Sequence, residues 1–286
     1  MQQDLKAGVV ATVTYSADKG THQQQQFIPN SAPPGATNAC PTCPSNFYYL
    51  TSGGNGTLES VSGQLMRRFR AGFMANLSYT LAHAIDDANP GGAAVTAQNW
   101  LDLDAERSNS AGVRRQTMNM SMTYNTGQGL SGGALLNGWR GAVIKGWNLS
   151  TSLSVSTGPF ETPSVPAQVL ARTAINGPIR PEYTGQPLFV NGALNPAAFA
   201  DPPAGQYGNA GRYIIQGPTT FSMNGSAGRT FRIGERRSAD LRFEANNFLN
   251  HVNFTQYNTT FGTAQFGLLQ SPSGMRVITA TLRLRF

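Results

Sequence analysis

Charge is scarce in this chain of 286 residues: Asp, Glu, Lys and Arg together make up 12% of it, against about 25% in an average soluble domain. No run of 18 or more apolar residues occurs, which argues against a transmembrane helix. Cysteine is nearly absent, with only Cys40 and Cys43. The charged helix formers Lys and Glu are poorly represented, whereas Gly numbers 32 and Pro 17, and Ser, Thr and Asn are plentiful. That is the composition of strands and loops. The opening Met1-Gln2-Gln3-Asp4-Leu5-Lys6 lacks a basic segment followed by an apolar core, so no signal peptide is expected within the chain. If the protein belongs outside the cytoplasm, its export signal has been lost or lies upstream.

The formal net charge is +7, which raises the question of nucleic acid. The basic pairs Arg67-Arg68, Arg114-Arg115 and Arg236-Arg237 are spread along the chain at expected strand ends and turns. Nucleic-acid binding would need them on one face with interleaved aromatics. Nucleic acid is therefore not expected as a partner.

What the chain does have is period-two alternation. Phe73, Ala75, Leu77, Tyr79 and Leu81 alternate with Asn76, Ser78 and Thr80. Met118, Met120, Met122 and Tyr124 alternate with Thr117, Asn119, Ser121 and Thr123. The same rule governs Leu5 to Tyr15 (through Ala7), Trp147 to Ser156 and Asp240 to Asn246. It is cleanest at the end, where Ile278, Ala280, Leu282, Leu284 and Phe286 alternate with Thr279, Thr281, Arg283 and Arg285. Successive side chains of a strand point to opposite faces, so each segment has one apolar and one polar face.

Eight strands are predicted, at 5–15, 57–69, 73–82, 116–125, 147–156, 220–233, 238–248 and 275–286. Their lengths suit tilted strands crossing a bilayer, which need about 9–11 residues. Connections run long, short, long, medium, long, short, long. The short ones lie near Arg70-Ala71-Gly72 and Gly234-Glu235-Arg236-Arg237, and the long ones span 16–56, 83–115, 157–219 and 249–274. In an up-and-down sheet all four long loops fall on one side, as in outer-membrane barrels. A soluble sandwich also alternates, but seldom carries loops of tens of residues on one side only, and its polar faces are richer in Lys and Glu. The predicted fold class is all-β: the C-terminal portion of an antiparallel transmembrane β-barrel.

Sites of chemistry are few. Cys40-Pro-Thr-Cys43 reads as a surface loop, with a small disulfide favoured over two free thiols. Zinc is not expected, because His22, His83 and His251 do not stand at ligand spacing. Asp86, Asp87, Asp102, Asp104 and Glu106 fall in one long loop; a solvated loop is favoured over a Ca²⁺ site, since the spacing is not that of an EF-hand. Gly127, Gly129, Gly132 and Gly133 read as flexible connections. No catalytic grouping, cofactor site or metal site is expected, and the chain is not read as an enzyme.

The stretch Gln64-Leu65-Met66-Arg67-Arg68-Phe69, then Gly72-Phe73 and Leu77 to Asp87, resembles a strand-turn-strand of Oar-like TonB-dependent receptors. Ala105-Glu106-Arg107-Ser108, Gly146-Trp147-Asn148-Leu149-Ser150, Asn195-Pro196-Ala197-Ala198-Phe199 and Leu241 to Phe254 resemble later parts of the same barrel, in the same order. The resemblance implies a barrel of about 22 strands with a plugged lumen, of which residues 1–286 would be the C-terminal part. Neither the plug nor a carboxypeptidase-regulatory-like domain is expected within them. It further implies uptake of a bulky solute, contact with outer-membrane lipid, and coupling to the TonB system only through a region outside this chain. The terminal Leu282, Leu284 and Phe286 resemble the signal read by the barrel-assembly machinery. A structural or adhesive surface protein is the alternative.

Overall fold

A computed structural model describes the chain apart from residues 6–7, 32–38, 45–46, 71, 89–95, 127–137, 170–176 and 235. Ala7, Ala71, Glu235 and the glycines at 127, 129, 132 and 133 thus lie outside the described residues.

One antiparallel sheet dominates. It contains β1 (Gln2–Asp4), β2 (Val9–Phe27), β3 (Tyr49–Arg70), β4 (Phe73–Asp86), β5 (Ser108–Asn109), β6 (Gln116–Asn125) and β7 (Trp147–Ser156). Six pairing strands of the long connections come next in sequence: β8 (Phe160–Glu161), β9 (Glu182–Tyr183), β10 (Phe189–Val190), β11 (Ala193–Leu194), β12 (Phe199–Ala200) and β13 (Ile215–Gln216). The large sheet resumes with β14 (Thr220–Ile233) and β15 (Arg237–Asn246), then, after the hairpin β16 (Phe254–Tyr257) and β17 (Leu269–Pro272), ends with β18 (Val277–Arg285). Its order is β1-β2-β3-β4-β6-β7-β14-β15-β18, with β5 on β4. Neighbours in space are thus neighbours in sequence once the loops are set aside. Among the described residues no ladder joins β18 back to β1 or β2.

The register turns eight local alternations into two continuous faces. Ala11, Leu65, Leu77, Met120, Leu153 and Met223 stand opposite one another in a single row across six strands. The adjacent row is Thr12, Gln64, Ser78, Asn119, Ser154 and Ser222. A slip of one residue anywhere would mix the rows. The apolar face is open: Tyr15 is 62% exposed, Val13 54% and Leu282 63%. A contiguous apolar surface of this extent needs an apolar solvent, and lipid hydrocarbon supplies one. The helix α1 (Gly138–Ile144), only seven residues long, lies between β6 and β7, and no helix among the described residues is long and apolar enough to cross a membrane.

The predicted strands correspond one to one with the long observed ones, with shifted ends. β2 begins at Val9, not at residue 5, and runs on to Phe27; β3 begins at Tyr49, not at 57. The first long connection is accordingly 28–48. The extension carries Gln23, Gln25 and Gln26 against Gly54, Thr51 and Leu50, where apolar and polar residues do not alternate. Beyond the hydrocarbon neither face has to be apolar, and ladder hydrogen bonds sustain the hairpin together with the Phe27–Tyr49 ring contact and the Gln25 and Gln26 side-chain hydrogen bonds. Its register shifts between Gly20 and Gln23 and again before Gln25, with His22 at φ 58°, as expected of a bulge.

The compact apolar core is not in the sheet. Leu194, Ala198, Phe199, Ala210 and Ile215 are buried together in the 157–219 connection, packed against Tyr257, Phe261 and Phe266. Phe266 meets Phe199 and Phe261 edge-on, with ring centroids 5.7 Å apart in both cases.

Candidate functional site

The four long connections leave the sheet at the end opposite the short turns, where the 157–219 connection touches the other three and its Arg212 reaches Asp86 on the polar face. That face is wet by composition and knit by its own side chains. Gln64 Nε2 donates to Asn76 Oδ1 at 2.9 Å, and Ser154 Oγ donates to Asn119 Oδ1 at 2.8 Å. Asn148 Nδ2 donates to Asn125 Oδ1 at 2.6 Å. Arg285 lies 3.2 Å from Asp240 and Arg242 2.7 Å from Glu244, all on the polar register of β15 and β18. Ser, Thr and Asn with paired charges form a hydrophilic wall, as a lumen requires.

Two buried ion pairs fasten the 157–219 connection, one to the connection after β4 and one to this wall. Arg180 Nη1 and Nη2 donate to Glu106 at 2.8 and 3.0 Å, and Arg180 Nε donates to the Ala210 carbonyl at 2.7 Å. Gln98 completes the knot: its amide nitrogen donates to the Gly208 carbonyl, its amide oxygen accepts from Arg180 N–H, and its own backbone N–H donates to Glu106. Arg212 donates to Asp86 Oδ1 at 2.6 Å and to the Asp86 carbonyl at 2.9 Å. Asp86 stands on the polar register, opposite Gly56, so Arg212 draws the connection over the lumen side of β4. A charge inside the protein is tolerated when paired and hydrogen-bonded, and here each pair doubles as a tie between distant segments.

This corrects the expectation of a solvated acidic loop. Asp102 and Asp104 are exposed as expected, but Asp86 and Glu106 are buried, each 2% exposed. Asp87 accepts from Asn55 N–H at 2.6 Å. Among the described residues no three metal-ligating side chains gather. The sequence signal that could have found the ties is weak: Arg180 and Arg212 lie in a Pro- and Gly-rich stretch that also carries Glu161, Arg172, Glu182 and Asp201, with nothing to single them out.

Glu161, on β8 within the loops, is the most perturbed carboxyl there. Burial raises it from 4.5 to about 7, partly offset by the Tyr257 backbone N–H, 3.1 Å away. It links β8 to the β16–β17 hairpin.

Cys40 and Cys43 are joined by a disulfide. Asn30 holds the loop: its Nδ2 donates to the Cys40 carbonyl at 2.8 Å, and Cys40 N–H donates to its Oδ1 at 3.0 Å. Leu282 and Leu284 lie on β18 opposite Leu241 and Ala239, on the apolar face, and Phe286 follows the last ladder residue. The basic pairs stay apart. Arg68 reaches Asp4, Arg67 stacks over Phe73, and Arg114 donates to Ser156 Oγ and the Thr157 carbonyl.

The outer membrane beta barrel domain family matches residues 1–279. No curated protein matches the sequence. Among solved structures, the outer membrane transporter YddB from Escherichia coli is similar, with a TM-score of 0.55 at 7% identity, over 100% of this chain and 31% of that one. The chain therefore spans about a third of that transporter, and at such identity the likeness is one of fold.

Proposed function

The chain belongs to the outer membrane beta barrel domain family, and on that premise we propose that it forms the C-terminal part of a TonB-dependent, Oar-like transporter barrel that takes up a bulky solute. It is an outer-membrane protein whose apolar face meets lipid. The observation that supports an uptake role is the fastening of the loops to one another through Arg180–Glu106 and to the polar face through Arg212–Asp86. A purely structural wall has no need of a tightly specified cap over its lumen, whereas a selective entrance does. Coupling to TonB would come through a region outside residues 1–286, and assembly through Leu282, Leu284 and Phe286 presented to the barrel-assembly machinery.

The test is accumulation of labelled peptides and oligosaccharides by cells that make the protein in its natural form, with and without an uncoupler of the inner membrane. Energy-dependent accumulation that disappears with the gene supports the reading. Passive, size-limited entry would indicate a porin. No effect on entry, with loss of surface attachment, would indicate an adhesive barrel.

A further inference from the structure

One arginine of β14 stands in the lipid-facing rows. Phe221, Met223, Ala227 and Phe231 share its register, and Arg229 itself lies opposite Trp147 on β7 and Leu241 on β15. A charge facing hydrocarbon is costly unless its head reaches the interface. Arg229 finds a partner toward the short-turn end. Its Nη1 donates to the Val143 carbonyl at 2.6 Å, and its guanidinium lies 4.6 Å from the Phe231 ring centroid.

That carbonyl belongs to the last turn of α1, where a helix leaves C=O groups without partners of its own. Trp147 Nε1, from the same lipid-facing row, donates to it as well, at 3.0 Å. Two residues of the lipid-facing surface thus hold α1 against that surface, at the end away from the long loops. Trp139 and Val143, four residues apart, share one side of the helix and are 75% and 59% exposed. Ile144 beside them, and Phe231 and Ile233 at the end of β14, continue this exposed apolar rim.

Charge at the rim is of one sign. The stretch from Thr126 to Gly146 carries Arg140 and Lys145 and neither Asp nor Glu. Arg67, opposite Ala75, and Arg237, opposite Ile233, also stand in the lipid-facing rows close to short turns. Among the described residues these rows hold no carboxylate at that end. Glu59 lies toward the long loops, and Asp240 and Glu244 are on the polar register, paired with Arg285 and Arg242. Lys145 is exposed, and its ammonium enters no hydrogen bond or ion pair among the described residues. It adjoins Gly146, where a Cβ would come 3.8 Å from Arg229 Nε.

An indole, short apolar side chains and cations side by side are the makeup of a segment lying in the headgroup layer. We propose that α1 sits in the bilayer interface on the short-turn side and holds an anionic phospholipid there. Its phosphate meets Lys145 in the positive field of Arg229, and its chains lie against Trp139 and Val143. A zwitterionic phospholipid brings an ammonium of its own, which these cations repel, so the rim selects a headgroup of net negative charge. The inference rests on the lipid-facing surface alone and stands apart from the uptake role.

The test uses the protein in its natural form, placed in phosphatidylcholine bilayers that hold a minor share of either phosphatidylglycerol or phosphatidylcholine brominated on its chains. Bromine quenches indole fluorescence on contact, and the signal lost in Trp139→Phe is that of Trp139. Brominated phosphatidylglycerol should be enriched there about fivefold over brominated phosphatidylcholine, as one basic residue near anionic headgroups provides. Lys145→Gln should abolish the enrichment, Lys145→Arg should keep it, and inorganic phosphate should leave it unchanged. Equal quenching by the two lipids would overturn the selectivity, and quenching by neither would put α1 outside the bilayer. Enrichment that survives Lys145→Gln would overturn the placing of the phosphate, and competition by inorganic phosphate would make this a site for the free anion instead.

Discussion

Arg180 grips both carboxylate oxygens of Glu106 at 2.8 and 3.0 Å, although 74 positions separate them in the chain. The pair is almost wholly dry, at 8% and 3% side-chain exposure. Removing one member of a buried pair strands the other, at a cost of about 3–5 kcal/mol, whereas replacing both by apolar residues is often nearly neutral. Arg180→Met should therefore loosen the 157–219 connection while the sheet stays folded. The readout is protease cleavage within that connection on intact cells. Arg180→Met combined with Glu106→Leu should recover much of the lost protection. Equal cleavage of the single and double variants would show that the charges do not act as a pair.

Glu161 gives the cap a pH dependence whose sign follows from its surroundings. Its pKa rises on folding, from 4.5 to about 7, so between these values the folded cap holds more protons than the unfolded one. Stability then falls as pH rises. The contribution is most favourable below about 4.5 and is lost as pH climbs through about 7. Hydrogen exchange in β8, β13 and the β16–β17 hairpin should accelerate from pH 5 to pH 8 beyond its intrinsic rate. Glu161→Gln keeps an acceptor for the Tyr257 N–H and should flatten that excess. An unchanged slope in the variant would assign the effect to another group.

How much of this was legible in the sequence depends on which solvent each segment meets. Where β4, β6, β7, β14 and β18 cross the hydrocarbon, one face must be apolar and the other wet, and the alternation of Phe73 to Leu81 or Ile278 to Leu284 declares the strand. The upper part of β2 and β3 has no such constraint, and Gln23–Gln26 gives no sign of pairing with the strand from Tyr49. The core around Phe199 and Ile215 was illegible for a different reason. Its members are scattered among Pro and Gly, and only long-range closure brings them to Phe261 and Phe266. The same holds for the ion pairs: acidic Asp86 and Glu106 look like loop surface until Arg212 and Arg180 arrive from more than 70 residues away.

The Cys40–Cys43 disulfide can report which end of the sheet is outside. It lies in the 28–48 connection, on the side of the long loops, and both cysteines are half-buried beside Asn30. On intact cells a membrane-impermeant maleimide should label both thiols after mild reduction and neither before it. Asn30→Ala removes both hydrogen bonds to Cys40 and should quicken reduction without changing the side labelled. Labelling that requires rupture of the outer membrane would invert the topology.

Leu282 and Thr281 are neighbours in β18 and should behave as if they belonged to different solvents. Leu282 lies opposite Leu241 in the apolar rows, and Thr281 opposite Arg242 in the polar ones. An arginine on the lipid face costs about 2–4 kcal/mol at the bilayer midplane and less toward an interface. Leu282→Arg should therefore lower the folding free energy in bilayers by an amount up to that range. Thr281→Arg, placed on the wet face, should cost little; what it does cost should be repulsion from Arg242 and fall with added salt. The measurement is the urea midpoint for each variant in lipid vesicles, at low and high ionic strength. Equal losses for the two substitutions would mean that the strand is rotated from the register seen here. A salt-dependent loss for Leu282→Arg alone would place that residue in the lumen.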